Sequence, residues 1–269
     1  MDDYRILPRN RFFEVVGGIM FENRGNDKVA MLSEIDMSEA IRLRESVAAE
    51  TGEKPSYTAI VVFALARALR EHDYANRTTI EWPFYRRIVQ HNQVNVTVAV
   101  ARDSPGLEQA TYAGTIRDAD TLSLVELNRQ LRQLANAEGE HGERWELFHR
   151  IVTRLPPILA RRILRIPYLW PNLWIQHRGG PAMVSSPAKY GVDMLVGNWP
   201  WPIGFSFGLV KERPIVINGE VCARPTMMLI MSFDRRLMAG APAARFFNGV
   251  ADMISQAEAR IGPESHRSP

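Results

Sequence analysis

A single cysteine, Cys222, excludes an intramolecular disulfide and a cysteine-based zinc cluster. No apolar run approaches the roughly 20 residues of a membrane span, the longest lying between Ala59 and Ala66. Met1-Asp2-Asp3-Tyr4-Arg5 lacks a charged region followed by an apolar core, so no secretory signal is read and a cytoplasmic protein is expected. Basic residues form no block of nucleic-acid size, which argues against a nucleic-acid partner. No histidine pair has metal-ligand spacing with acidic partners, so no metal is expected. Gly17-Gly18 and Gly179-Gly180 lack both the strand-to-helix context of a phosphate loop and a following Lys-Ser/Thr, and read as turn glycines. Internal repeats and Gly/Ser linkers are missing too.

What is present is ordinary globular material. The 269 residues are 46% hydrophobic and 23% charged, with a formal charge of +3. That mild excess would suit an anionic ligand such as a coenzyme A phosphate, but scattered surface lysine and arginine is the favoured reading. Lys28 to Met37 alternates as a strand, and Ser38 is placed to cap a helix through Glu50. Ser56 opens a second helix, Tyr57 to Glu71, apolar on nearly every side and so expected between layers. Val94, Val96, Val98 and Val100 mark a period-2 strand. Ser123 and Glu126 form a capping box, followed by one apolar face of Leu124, Leu127, Leu131 and Leu134.

Further strands are predicted at Ala182–Ser186, Gly204–Val210 and Thr226–Phe233, with an Asn218-Gly219 hairpin turn between Val216 and Val221. A last helix is predicted over Ala241–Ile261, its apolar side carrying Ala243, Phe247, Val250 and Ile254. Mixed helices and hairpin-like strands predict an α+β fold with an antiparallel or mixed sheet. One domain is expected over residues 1–261, with a frayed tail over 262–269.

Ser232-Phe233-Asp234-Arg235-Arg236-Leu237-Met238-Ala239-Gly240 carries the chemistry. It resembles the Ser-Phe-Asp-His-Arg-x-x-Asp-Gly motif of the dihydrolipoyl acyltransferases of 2-oxoacid dehydrogenase complexes, relatives of chloramphenicol acetyltransferase. The resemblance runs from about Arg11 to Ile254. It includes Glu34-Ile35-Asp36-Met37 with Leu43-Arg44, Asn92 to Leu107, and Ala182-Met183-Val184-Ser185-Ser186. It implies a two-layer sheet-and-helix sandwich with a mixed sheet, chloramphenicol acetyltransferase-like, assembled as a homotrimer. A channel between subunits would admit coenzyme A or acyl-CoA at one end and the acyl acceptor at the other. An acyl-carrier or multienzyme-complex partner is implied as well. Because the catalytic-like region starts near Met1, no lipoyl-bearing domain is expected ahead of it, and a swinging-arm substrate is expected from another chain.

By the same resemblance Ser185 takes the place of the serine that hydrogen-bonds the oxyanion, 50 residues before Arg235 (235 − 185). Arg235 takes the place of the histidine that removes the proton from the attacking thiol. A guanidinium stays protonated at any useful pH, and losing a general base costs about 10²–10⁴-fold in rate. Arg235 can still bind a carboxylate, a phosphate or the oxyanion; the alternative is an arginine left after catalysis was lost. Ser185 is an oxyanion donor or a plain strand-end serine, and Pro187-Ala188 departs from the family's turn. Ala239 stands where the family has an acid or amide, and Arg11 matches an early family arginine loosely. Asp234 and Arg236 keep the family residues and are expected to fix the turn through a salt bridge.

Among other histidines, His177 is the best substitute base, eight residues before Ser185 (185 − 177). His72 and His91 are expected to be solvated, His266 lies in the tail, and His141 and His149 fall in an interruption of the resemblance. That interruption spans Glu138 to Gly180. It contains Arg144-Trp145-Glu146-Leu147-Phe148, a Leu155-Pro156-Pro157 break, then Arg161, Arg162 and Arg165 on one helical side with Ile158, Leu159, Ile163 and Ile166 largely elsewhere. Trp170, Leu173, Trp174 and Ile175 follow around Pro171. A lid over an acyl pocket, a membrane patch, a docking face, and a cover for its own core or a trimer contact are all open readings. An acyl-binding or assembly role is favoured, and membrane contact is not expected because proline interrupts the tract. The two functions in competition are a divergent acyltransferase and an inactive trimeric scaffold or accessory subunit.

Overall fold

Alternating side chains sort the strands into two faces. The structure, a computed structural model, describes residues 28–82, 84–104, 107–136 and 151–262. Arg11, Gly17-Gly18, Arg144 to Phe148, His141, His149, His266 and the tail beyond Gly262 lie outside the described residues. The strands of the main sheet are β1 (Lys28–Asp36), β4 (Val96–Ser104), β5 (Leu107–Ile116), β6 (Ala182–Ser185), β7 (Ile203–Phe207), β8 (Lys211–Ile217) and β9 (Glu220–Asp234), and β2 (Arg77–Trp82) and β3 (Tyr85–Gln90) form a separate hairpin. The main sheet runs β1-β9-β7-β6-β4-β5, with β8 also on β9. Its β4–β6 and β6–β7 pairs are parallel and its other pairs antiparallel, so the sheet is mixed.

Residues Val96, Val98, Ala182, Val184, Ile203, Phe205, Met231 and Phe233 all point into one core. That face is covered by α1 (Ser38–Thr51), α2 (Tyr57–Glu71), α3 (Leu124–Asn136), α6 (Gly240–Ser255) and α7 (Ala257–Ile261). In α2 every residue from Ala59 to Ala66 is at most 3% exposed, because α3 and α6 pack beside it. A helix apolar all round has to lie between layers, as its sequence predicts. Ser56 caps it through a hydrogen bond from Ala59 N. The Ser123–Glu126 capping box forms as predicted, with Ser123 N donating to the Glu126 carboxylate at 2.9 Å and Glu126 N donating to Ser123 Oγ at 3.3 Å. Asn218 and Gly219 adopt φ of 53° and 87°, the left-handed pair a two-residue hairpin requires.

Several boundaries differ from expectation. Ser38 lies inside α1 rather than capping it. Its backbone N donates to Asp36 Oδ1, and its hydroxyl finds no partner among the described residues. The final helix is two, broken at Gln256 (φ −108°, ψ 40°). β4 begins at Val96 because Val94 and Asn95 turn aside to hold the 118–119 turn, accepting from Ala119 N and Asp118 N. β9 is longer than predicted, since its N-terminal half, polar in sequence, pairs with β8 as a solvent-facing hairpin.

The other face of the sheet is covered from the tract that interrupts the resemblance. There α4 (Pro157–Ile163) is followed by α5 (Pro171–Arg178), whose Trp174 packs with Met183 and Trp201 in a cluster against which Ala99 and Ala113 lie. Thr97 Oγ1 and Trp201 Nε1 both donate to the Arg178 carbonyl, at 2.8 and 2.9 Å. The chain then passes the start of β4 so closely on its way into β6 that only glycine fits. A Cβ on Gly180 would lie 1.9 Å from the Asn95 carbonyl oxygen. Gly180→Ala must therefore displace backbone, and is expected to cost about 1–3 kcal/mol. An unchanged urea midpoint would disprove this close approach.

Candidate active site

The motif sits where a buried strand meets a helix. β9 ends at Asp234, a tight turn covers 235–237, Met238 is buried and α6 begins at Gly240. Asp234 N donates to the Pro202 carbonyl at 2.9 Å, and Leu237 N donates back to the Asp234 carbonyl at 3.1 Å. The Arg236 guanidinium grips the buried Asp234 carboxylate at 2.5–3.0 Å, and Arg236 N adds a further bond at 2.9 Å. Burial pushes the Asp234 carboxyl upward, but the hydrogen bonds from Arg236 outweigh it and hold it below the usual carboxylate range. Asp234 and Arg236 thus lock the turn, as expected from the motif.

A third charge was not read from the sequence. Lys28 pairs in register with Asp234 across β1 and β9, and its Nζ donates to the carbonyls of Trp199 and Trp201. Burial draws its pKa down to about 8, opposed by Asp234 and assisted by Arg236. The only sequence signal was a lysine opening an apolar-alternating strand.

Arg235 itself is exposed and makes no ion pair among the described residues. Ala239 occupies the N-cap of α6 with extended backbone (φ −74°, ψ 165°) and offers no side-chain acceptor. An acidic or amide side chain there would accept a helix N–H, so the departure from the motif removes a cap as well as a polar group.

Ser185 ends β6, half-buried, on the same face as Met183. Its hydroxyl makes no hydrogen bond to any described residue, His177 included. Neighbouring hydroxyls are already engaged: Ser186 donates to the Phe207 carbonyl at 2.9 Å, and Ser206 donates to the Leu195 carbonyl. Pro187 leads into a short 3₁₀ turn, Ala188–Tyr190, whose Ala188 N donates to Ser186 Oγ.

Register fixes how far apart the two candidates lie. Ser185 pairs with Ser206, and Ser206 with Ile230, four residues short of Asp234. Four residues along a strand are about 13 Å and two strand spacings about 10 Å, placing the Ser185 and Asp234 backbones roughly 16 Å apart. One chain does not bring Ser185 and Arg235 onto a single reacting atom.

His177 lies on α5, and burial lowers its pKa to about 4, so it is neutral at pH 7 and weakly basic. His72 and His91 are half-buried rather than fully solvated. His72 hydrogen-bonds the Tyr74 hydroxyl and meets Phe246 edge-on, and His91 contacts Thr78 Oγ1 and stacks on Trp174. Among the described residues no group of three His, Cys, Asp or Glu is placed to hold a metal ion.

The sheet, its covering helices and the strand-to-helix motif define an acyltransferase-type catalytic domain. The family model described as 2-oxoacid dehydrogenases acyltransferase (catalytic domain) matches residues 19–142 and 178–261, and the chain belongs to that family. A Rickettsia prowazekii relative, the dihydrolipoyllysine-residue acetyltransferase component of the pyruvate dehydrogenase complex, is 23% identical over 91% of this chain and 52% of its own length. The chain spans about half the length of the curated relatives it matches. The fold is that of an Azotobacter vinelandii dihydrolipoamide acetyltransferase, at TM-score 0.68 and 19% identity over 96% of this chain and 93% of that one. In that protein a serine, a histidine and an asparagine four positions further on were investigated for their role in catalysis. A chloramphenicol acetyltransferase superposes at TM-score 0.51 and 15% identity, covering 92% and 96% of the two chains.

Two outcomes follow from this geometry. Ala239→Asn is expected to stabilise the protein by about 1 kcal/mol through capping alone, and a thermal midpoint no higher than wild type would refute the missing cap. A buried neutral His177 takes its proton only near pH 4, whereas the unfolded chain takes it near 6.5. The unfolded state therefore binds more protons in that window, and stability falls as pH drops from 6.5 toward 4. His177→Gln should flatten that part of the decline in urea titrations; parallel declines in both proteins would count against a buried neutral ring.

Proposed function

We propose that this chain is a divergent acyltransferase-family protein that binds acyl thioesters of coenzyme A or of an acyl carrier, and has lost the ancestral dihydrolipoamide reaction. The observation that carries the reading is the exposed guanidinium of Arg235 at the position where the family motif has its base. Transfer from a thioester needs a group to take the thiol proton and donors for the oxyanion. Arg235 cannot take a proton, but it is suited to a phosphate or carboxylate. Ser185, whose hydroxyl is uncommitted, is the remaining oxyanion donor. His177 is too weakly basic to replace the missing imidazole.

The separation of Ser185 from Arg235 within one chain supports a homotrimer in which one subunit's serine faces its neighbour's arginine. The family membership supports one domain over residues 1–261 with 138–180 as an insertion, and a cytoplasmic place in or beside a multienzyme complex. The loss of both the base and the polar group at 239 favours a second reading, an inactive trimeric scaffold. The two differ in whether any acyl transfer survives.

Thiol release from acetyl-CoA and longer acyl-CoAs, with and without dihydrolipoamide, separates them. The native chain is expected to bind acyl-CoA in calorimetry yet give no dihydrolipoamide-dependent release. Arg235→His with Ala239→Asn is expected to raise that release by about 10²-fold or more. Dihydrolipoamide turnover by the native chain that survives Arg235→Ala and disappears in His177→Ala would overturn the proposal. Saturable acyl-CoA turnover with another acceptor would remove the scaffold reading.

A further inference from the structure

The tract that covers the outer face of the sheet has a second side. Inward, Ala160, Leu164 and Trp174 are buried. Outward, Ile158, Leu159, Ile166, Trp170 and Leu173 are exposed, Ile158 by 69%. From Ile151 to Gly180 the sequence holds five arginines and no aspartate, glutamate or lysine. Four of those arginines, Arg154, Arg161, Arg162 and Arg165, are on the surface, and Arg178 is buried against Trp201. The family model steps over this tract, leaving 143–177 between its two matched segments. The fold the family shares does not account for the tract's outer chemistry.

A second element lies alongside. β2 packs against the 166–169 turn, and His91, just after β3, stacks on Trp174. At the tip of this β2–β3 hairpin Phe84 is 97% exposed, and Ile88 beyond it is 52% exposed next to surface Arg87. Two independent pieces of chain therefore present protruding apolar side chains among guanidinium groups. A protruding phenylalanine suits a deformable surface better than a rigid groove. A two-fold contact of the patch with its own copy is disfavoured, because it would set arginine against arginine.

We propose that the 151–178 tract and the β2–β3 hairpin tip together dock this protein on an anionic lipid surface. Arginines near such a surface are drawn to its negative charge, and apolar side chains entering the headgroup boundary supply the second signal that stable attachment needs. The prolines that rule out one long interfacial helix leave three short segments, α4, the 166–169 turn and α5. Their anchor is the buried side against the sheet, so lipid is not required to fold them.

The test is co-sedimentation of the full chain with phosphatidylcholine vesicles, with and without phosphatidylglycerol. Binding is expected only with the anionic lipid and should weaken as salt rises. Arg161→Glu with Arg162→Glu and Arg165→Glu should lower it by more than ~10-fold. Phe84→Ser with Trp170→Ser should lower it at unchanged circular dichroism and thermal midpoint, which separates lost docking from lost folding. Equal binding to neutral vesicles, or anionic binding untouched by both variants, overturns the proposal. So does retention on polyglutamate without vesicle binding, which would point to an acidic protein, or a change in oligomeric mass on charge reversal without a change in vesicle binding.

Discussion

Three strands share β9: β1 on one edge, β7 and then β8 along the other. Everything at the motif depends on that register. A one-residue slip of β9 would move Met227, Leu229, Met231 and Phe233 out of the core and present Ser232 and Asp234 to it. The register also sets Lys28 opposite Asp234 and Asp234 beside the Pro202 carbonyl. The turn is thus positioned by hydrogen bonds made far along the strand, and Arg235 takes its exposed place because its neighbours on both sides are pinned.

Charge at the turn is arranged to be satisfied locally. A carboxylate buried at the end of an apolar strand would be costly alone. Arg236 supplies a bidentate partner two residues away, and Lys28 supplies a second cation whose own protons reach two backbone carbonyls. The negative charge of Asp234 is spent on holding structure. That leaves Arg235 as the exposed guanidinium of this turn.

Local patterns in the sequence were sufficient wherever one element decided its own state. The buried α2, the Ser123–Glu126 box, the Asn218-Gly219 turn and the Asp234–Arg236 pair all depend on residues within a few positions of each other. Ser38 misled because Asp36 caps from two residues upstream, a competition that propensity alone does not rank. His72 and His91 misled because distant side chains, Phe246 and Trp174, lie against their rings and leave them half-buried. Likewise a spacing of 50 residues says nothing of strand order, and it was the β6–β7–β9 path that set Ser185 and Arg235 apart. Lys28 was invisible for the same reason, its partners lying 171 and 173 residues away.

Trp174 on Met183 and Trp201 ties the cover and the sheet to each other. The sheet face beneath it is apolar, with Met183, Ala99 and Ala113 in the same cluster. Excising the cover would bare a greasy surface, so a stretch that the family model leaves unmatched is nonetheless a dependency of the domain.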